Sequence, residues 1–231
     1  MARDRAVRDV AVVIPAGGVG ARLSRRTPKQ FMDLGGTPIL VATVRHFARH
    51  PRVNGVVVAA PASHVERTRR ILGRVRGVPV TVVVGGGTRQ ESVSRGLAAV
   101  SADTALVVVH DAVRPFITPA LIDAVLVAAR TTGAAISALP IAETVKRVSG
   151  GLVAGTLDRS ELVAVQTPQA FRADLLREAH DKARRDGFTG TDDAMLVERL
   201  GQNVRVVAGL AENVKITTPV DLRRARARAR S

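Results

Sequence analysis

"VAVVIPAGGVGARLSRRTPKQF", residues 10–31, decides how the chain is read. Val10 to Ile14 form a short apolar run rich in β-branched residues, which suits a strand buried on both faces. Gly17, Gly18 and Gly20 follow directly, and after them come Arg22, Arg25, Arg26 and Lys29. In an open α/β sheet, ligands sit beyond the carboxyl ends of the strands, and the first strand-to-helix loop is the usual anion site. Bare backbone there lets N–H groups approach an anion without interference from a Cβ.

The rest of the chain keeps the same rhythm. Apolar runs rich in Val and Ile predict strands over 10–14, 56–60, 78–84, 105–109, 134–139, 163–166 and 204–207. Amphipathic stretches predict helices over 38–48, 63–72, 90–100, 119–131, 172–185, 192–200 and 219–228. Thr37-Pro38 and Thr118-Pro119 place a capping side chain before a proline at the first helical position. Strands alternating with helices mean an α/β class with a mainly parallel sheet. One segment breaks the pattern: "ETVKRVSGGLVAGTLD", 143–158, alternates over short spans and turns at Ser149-Gly150-Gly151, so it reads as an inserted β-hairpin. Such a hairpin either caps a sheet edge or reaches towards a partner subunit. No repeat or low-complexity linker divides the chain, and a single domain over 1–231 is expected, with the β-arm at about 141–160.

Composition narrows the classes. With 231 residues and 46% hydrophobic content, the chain can bury a sizeable core. No apolar run approaches the roughly 20 residues of a membrane helix, and MARDRAVRDV lacks the apolar centre of a signal peptide. The chain has no cysteine, which removes disulfides and thiolate metal sites and fits a cytoplasmic location. A net charge of +15 invites a nucleic-acid reading. Against it, only Lys29, Lys146, Lys182 and Lys215 are lysines, so the basicity is a general arginine habit. Aromatic content is 2%, with no Trp or Tyr, leaving little for base stacking. The run Arg223 to Arg230 reads as a solvated terminal helix or frayed tail, and no nucleic-acid partner and no membrane are expected.

The loop itself excludes two familiar motifs. A P-loop needs Gly, four residues, then Gly-Lys-Ser/Thr, and that spacing is absent. A dinucleotide fingerprint needs a third small residue where Gly18-Val19-Gly20 is followed by Ala21-Arg22-Leu23, and the second strand ends Ala59-Ala60-Pro61 without an acidic residue. What remains is a glycine loop with Arg22 and Lys29. Two cations converging on a polyphosphate suit phosphoryl or nucleotidyl transfer, where negative charge grows on non-bridging and leaving oxygens.

At this point the motifs gather. Residues 16–23 with Pro28-Lys29-Gln30, "GGGTRQESVSRGL" (85–97), "VVHDAVRPF" (108–116), "PIAETVKRV" (140–148), "AVQTPQAF" (164–171), "TDDAMLVERLG" (191–201) and "NVKITTPVDL" (213–222) stand in order. Together they resemble the 2-C-methyl-D-erythritol 4-phosphate cytidylyltransferase family of the non-mevalonate isoprenoid pathway, nearly end to end. The resemblance implies a Rossmann-like three-layer nucleotidyltransferase fold. It also implies transfer of CMP from CTP to the polyol phosphate with release of pyrophosphate. Arg22 and Lys29 then match the family's transition-state stabilisers, and Ala16, Gly17 and Gly18 offer backbone to the nucleotide. Arg89 and Ser92 match contacts to cytosine and ribose, while Asp111 and Ala112 fall on the CTP site, Asp111 also lying near the polyol and the metal. Arg114, Thr144, Arg159, Thr167, Thr191 and Lys215 match polyol-phosphate contacts.

The resemblance further implies that Thr144 and Arg159, on the arm, enter the neighbouring subunit's site, giving a homodimer through β-arm exchange. Mg²⁺ is implied as the companion of CTP, held mainly by its phosphates. Other readings stay open for some of these residues. Arg114 also suits a pair with Asp111 that shapes the turn, Ser92 and Thr191 suit helix starts, and His110 is expected to be structural. Two positions depart from the family pattern: Gly17 where alanine is commoner, and Val113 where a small residue is common. A ribitol-5-phosphate cytidylyltransferase shares the loop and much of "HDAVRPF", although "ETVKR" and "TDDAMLVERLG" lean towards the methylerythritol enzymes. A non-catalytic nucleotide-binding protein is the remaining alternative.

Overall fold

A computed structural model describes residues 8–17 and 27–230. Gly18, Gly20 and Arg22 of the first loop lie outside the described residues. The strands are β1 (Val10–Pro15), β2 (Val53–Ala60), β3 (Val80–Val84), β4 (Leu106–Val109), β5 (Ala134–Pro140), β6 (Lys146–Ser149), β7 (Leu152–Thr156), β8 (Val163–Arg172) and β9 (Arg205–Ala208). The helices are α1 (Ile39–Ala48), α2 (Val65–Leu72), α3 (Arg89–Ala98), α4 (Pro119–Thr132), α5 (Ala173–Arg185), α6 (Asp193–Glu198) and α7 (Pro219–Arg228).

Seven strands form one sheet in the order β3-β2-β1-β4-β8-β5-β9. The pairs β1–β2, β2–β3, β1–β4 and β5–β9 are parallel, and β8 runs antiparallel between β4 and β5. Side chains alternate along β1 as the period of two requires. Val10, Val12 and Ile14 enter the core that holds residues of α1, α2 and α4, whereas Ala11 and Val13 enter the core of α3, α5 and α6. Helices therefore cover both faces, giving three layers. Close approach on the second face depends on Gly96, where a Cβ would come within 2.5 Å of a Val13 methyl.

Two expectations need correction. The strand expected over 163–166 continues to Arg172, and it is antiparallel. Pro168 hid the continuation, because proline cannot donate to a ladder. It is tolerated here because the β5–β8 register slips between Ile136 and Ala138, opposite this stretch. Thr37 does not cap α1 either. Pro38 is the N-cap residue, with no side-chain cap bond, and the Thr37 hydroxyl faces Arg45 Nη1 at 3.4 Å. Thr118 behaves as expected, accepting from the Leu121 N–H with Pro119 at the first helical position. At the C-terminus, Thr218 and Asp221 form a capping box that starts α7, so the arginine run is a helix. Arg226 Nε donates to the Asp33 carbonyl, and Arg228 lies over the Phe116 ring.

The hairpin is present and forms its own two-stranded sheet, β6–β7. Gly150 and Gly151 take φ of +57° and +80°, the left-handed conformations that a two-residue hairpin turn demands. Val148, Leu152 and Val153 on this arm are 60%, 76% and 65% exposed. Among the described residues, no helix is long and apolar enough to cross a membrane.

Candidate active site

The carboxyl ends of β1, β3 and β4 open into a cleft of about 230 Å³. Lys29, Gly86, Arg89, Ser92, Asp111 and Lys215 line it, along with Ala16, Gly17 and Ala112. Each reaches the rim for a local reason. Ala16 leaves β1 with its N–H bonded to the Ala59 carbonyl at 2.8 Å. Lys29 begins a one-turn 3₁₀ helix after Pro28, and its neighbour Gln30 is buried, donating to the Ala16 carbonyl at 2.7 Å. That bond ties the end of the cationic loop back to the end of β1. Its signal in the sequence was only the Pro-Lys-Gln motif.

The second glycine run starts α3. Thr88 accepts from the Glu91 N–H, and the Glu91 carboxylate accepts from the Gly87 N–H at 2.8 Å, so backbone and side chain cap each other. Ser92 is not the helix start: it is buried one turn into α3, donates to the Thr88 carbonyl and accepts from the Gly86 N–H at 3.1 Å. A Cβ at Gly85 would lie 2.9 Å from this hydroxyl and one at Gly17 would lie 3.2 Å from it. The closer fit is at Gly85, where a side chain would force Ser92 to shift, while at Gly17 a methyl would need the hydroxyl to give by only a few tenths of an ångström.

Asp111 is the centre of charge. It follows β4, its N–H donates to Thr167 Oγ1 at 3.0 Å, and its carboxylate is buried. Arg89 Nε lies 3.2 Å from one oxygen, while Lys215 Nζ at 2.8 Å and Arg114 Nε at 3.6 Å face the other. Burial alone would raise this carboxyl's pKa. The charges of Arg89, then Lys215, then Arg114 outweigh it and hold the group well below the usual carboxylate range. Arg89 is pushed up in turn, since burial is opposed by Asp193 and Asp111. Arg114 is lowered because its burial outweighs the attraction of Asp111.

Lys215 is placed by its neighbours. The Ile216 N–H donates to the Val113 carbonyl, and the buried Asn213 receives Arg114 Nη1 on its carbonyl and donates to the Thr167 carbonyl, both at 2.7 Å. Val113 packs with Ile39 and Ile216 in a third small core beside α7. His110 is fully buried. Its Nε2–H donates to the Arg114 carbonyl at 3.0 Å, its ring meets Phe47 edge-on, and burial pushes its pKa down to about 4. A neutral, enclosed imidazole fits the structural reading.

Not every candidate converges on the cleft. Thr167 and Arg114 support Asp111 from behind and do not line the cleft. Thr191 is exposed and does not cap α6. Asp192 does, accepting from the Met195 N–H at 3.0 Å. Thr144 is exposed at the start of the arm, and Arg159 contacts the Ala142 carbonyl at the arm's other end. Sequence reading missed Gln30, Asn213, and the pair Asp193 and His180, which hold the far side of Arg89. Among the described residues, Asp111 is the only cleft-lining carboxylate, and its oxygens already face three cations. Among the same residues there is no group of three or more acidic or imidazole side chains able to hold a metal.

Set against known proteins, residues 10–231 match the family model IspD, 2-C-methyl-D-erythritol 4-phosphate cytidylyltransferase. This chain belongs to that family. The 2-C-methyl-D-erythritol 4-phosphate cytidylyltransferase of Solibacter usitatus is 48% identical over 225 residues, covering 92% of each chain. Among solved structures, the enzyme of that name from Thermus thermophilus is 39% identical with a TM-score of 0.81, covering 96% of this chain and all of that one (100%). The 4-diphosphocytidyl-2C-methyl-D-erythritol synthase of Anaerococcus prevotii is 30% identical with a TM-score of 0.85, covering 96% and 98%.

Proposed function

We propose that this protein transfers the cytidylyl group of CTP to 2-C-methyl-D-erythritol 4-phosphate, giving 4-diphosphocytidyl-2-C-methyl-D-erythritol and pyrophosphate. The observation that carries the proposal is the buried Asp111 carboxylate ringed by Arg89, Lys215 and Arg114 in a cleft that also holds Lys29. Lys29, Arg89 and Lys215 against one cleft-lining carboxylate leave the rim cationic, the polarity that two phosphorylated substrates need.

A phosphate oxygen of the acceptor attacks the α-phosphorus. The bond from that phosphorus to the bridging oxygen breaks, and pyrophosphate departs with the electron pair. The acceptor phosphate is already an anion at neutral pH, so the protein supplies position and charge and need not activate a nucleophile. Arg22 and Lys29 take the catalytic role, stabilising charge that grows on the phosphates. Ala16, Gly17, Gly18, Arg89, Ser92, Asp111 and Ala112 hold CTP. Asp111, Arg114, Thr167, Thr191 and Lys215, with Thr144 and Arg159 from a partner's arm, hold the polyol phosphate. Mg²⁺ enters as the CTP complex, a mode that suits a cleft with one carboxylate. The reading includes one domain over 1–231, a homodimer by arm exchange and a cytoplasmic location.

The test is pyrophosphate release from CTP and Mg²⁺ with methylerythritol phosphate, ribitol 5-phosphate or no acceptor. Release confined to the first acceptor is expected. Release with ribitol phosphate alone would move the protein to polyol cell-wall chemistry, and bound CTP without release would make it a non-catalytic binder.

A further inference from the structure

Behind the cleft a second carboxylate is buried without touching the cleft at all. Asp193 opens α6, its side chain faces inward, and it is 1% exposed. One oxygen accepts from Arg89 Nη1 at 2.7 Å, and the other lies 3.1 Å from Nε2 of His180, itself buried on α5. Nε of the same Arg89 guanidinium faces Asp111. A planar guanidinium held at two edges by two carboxylates cannot rotate without losing one of them. The segment before α6 is fixed as well: Gln90, next to Arg89, donates to the Phe188 carbonyl at 3.0 Å and accepts from the Gly190 N–H at 2.9 Å.

Docking alone does not explain this arrangement. α6 already packs through Ala194, Leu196 and Val197, and a buried ion pair is a poor way to gain stability, because desolvation offsets the attraction. What the pair adds is orientation. We propose that Asp193, fixed by His180, is a positioning residue that holds the Arg89 guanidinium in register with the CTP cleft and thereby sets where Asp111 meets Lys215. The inference rests on the proposed nucleotide site and names its supporting shell.

A double-mutant cycle on CTP affinity, measured by titration calorimetry with Mg²⁺ and paired with steady-state kinetics, tests it. Asp193→Asn should weaken CTP binding and raise its KM on the order of 10–100-fold, by analogy with the loss when an outer partner that orients a metal ligand is removed, with a smaller change in kcat. In an Arg89→Ala background the same substitution should cost less than about twofold, since residues acting through one another are non-additive. His180→Gln, which keeps an N–H donor, should retain affinity that His180→Leu loses. If Asp193→Asn fails to melt cooperatively, the two His180 variants carry the cycle with Arg89→Ala. Equal losses with and without Arg89, or wild-type affinity in Asp193→Asn or in His180→Leu, would overturn the positioning role. The functional reading fails separately, if wild-type protein binds CTP but transfers no CMP to any acceptor, and the affinity cycle still reads the positioning in that case.

Discussion

Lys29 and His110 show how differently two cation-forming side chains serve one fold. Lys29 lines the cleft beside the end of β1, in a wall it shares with Arg89, Asp111 and Lys215. Replacing it with alanine should raise the barrier by about 2–4 kcal/mol, the magnitude of one lost oxyanion donor, with kcat falling far more than CTP affinity. Wild-type turnover in Lys29→Ala would remove it from the catalytic role. His110 contributes to stability through its neutrality. Its folded pKa of about 4 lies below the ordinary 6.5, so the unfolded chain takes up the proton first. Stability from this residue is complete above pH 6.5 and declines as pH falls, levelling off below about 4. Between pH 7 and 4.5 the loss should be about 2–3 kcal/mol, and His110→Gln should show a correspondingly flatter urea-unfolding stability over that range. Parallel pH slopes in the two proteins would contradict this. At the residue scale, sequence reading found most of the cleft: Lys29, Arg89, Ser92, Asp111 and Lys215 all line it. It missed Gln30, Asn213, His180 and Asp193, because a buried polar residue that serves another residue carries no periodicity or spacing of its own.

At the scale of elements, α3 is the piece that builds the site. Its N-terminus carries Thr88, Arg89 and Ser92, and Gly96, near its C-terminal end, sets its distance from β1. An alanine at 96 would gain up to about 1 kcal/mol of helix propensity, but its Cβ would press on Val13. Overpacking of this kind costs about 1–3 kcal/mol. Gly96→Ala should therefore lower the unfolding midpoint, and a raised melting temperature would show that the layers can separate freely. The strand and helix expectations stood for α3, α4 and β1, where propensity and tertiary packing agree. They were short at β8, where Pro168 reads as a breaker and only the slipped register opposite it makes the strand possible.

The arm belongs to the whole molecule. A two-stranded hairpin alone is marginal in water, and this one exposes Val148, Leu152 and Val153. Exposed apolar residues on a protruding hairpin suit burial against a second copy, and the proposed exchange would carry Thr144 and Arg159 to the partner's cleft. Arg159→Ala and Lys29→Ala proteins should each be weak, and refolding them together at equal amounts should restore about one quarter of wild-type activity. Half of the dimers would be mixed, and each mixed dimer would have one intact site out of two. Absence of recovery, with mixed dimers verified by mass, would count against a shared site.

By itself the sequence determined the strand-and-helix alternation, the glycine turn of the hairpin and the ordered motifs, because each is local: period, backbone freedom and spacing act within a few residues. Only the tertiary structure decided which charges meet. Asp111 is 22 positions from Arg89, and Arg89 is 104 from Asp193, so their pairing depends on how strands stack in the sheet. The direction of β8 was settled in the same way. Long-range electrostatics and strand register belong to the assembled sheet, and no local stretch of chain encodes them.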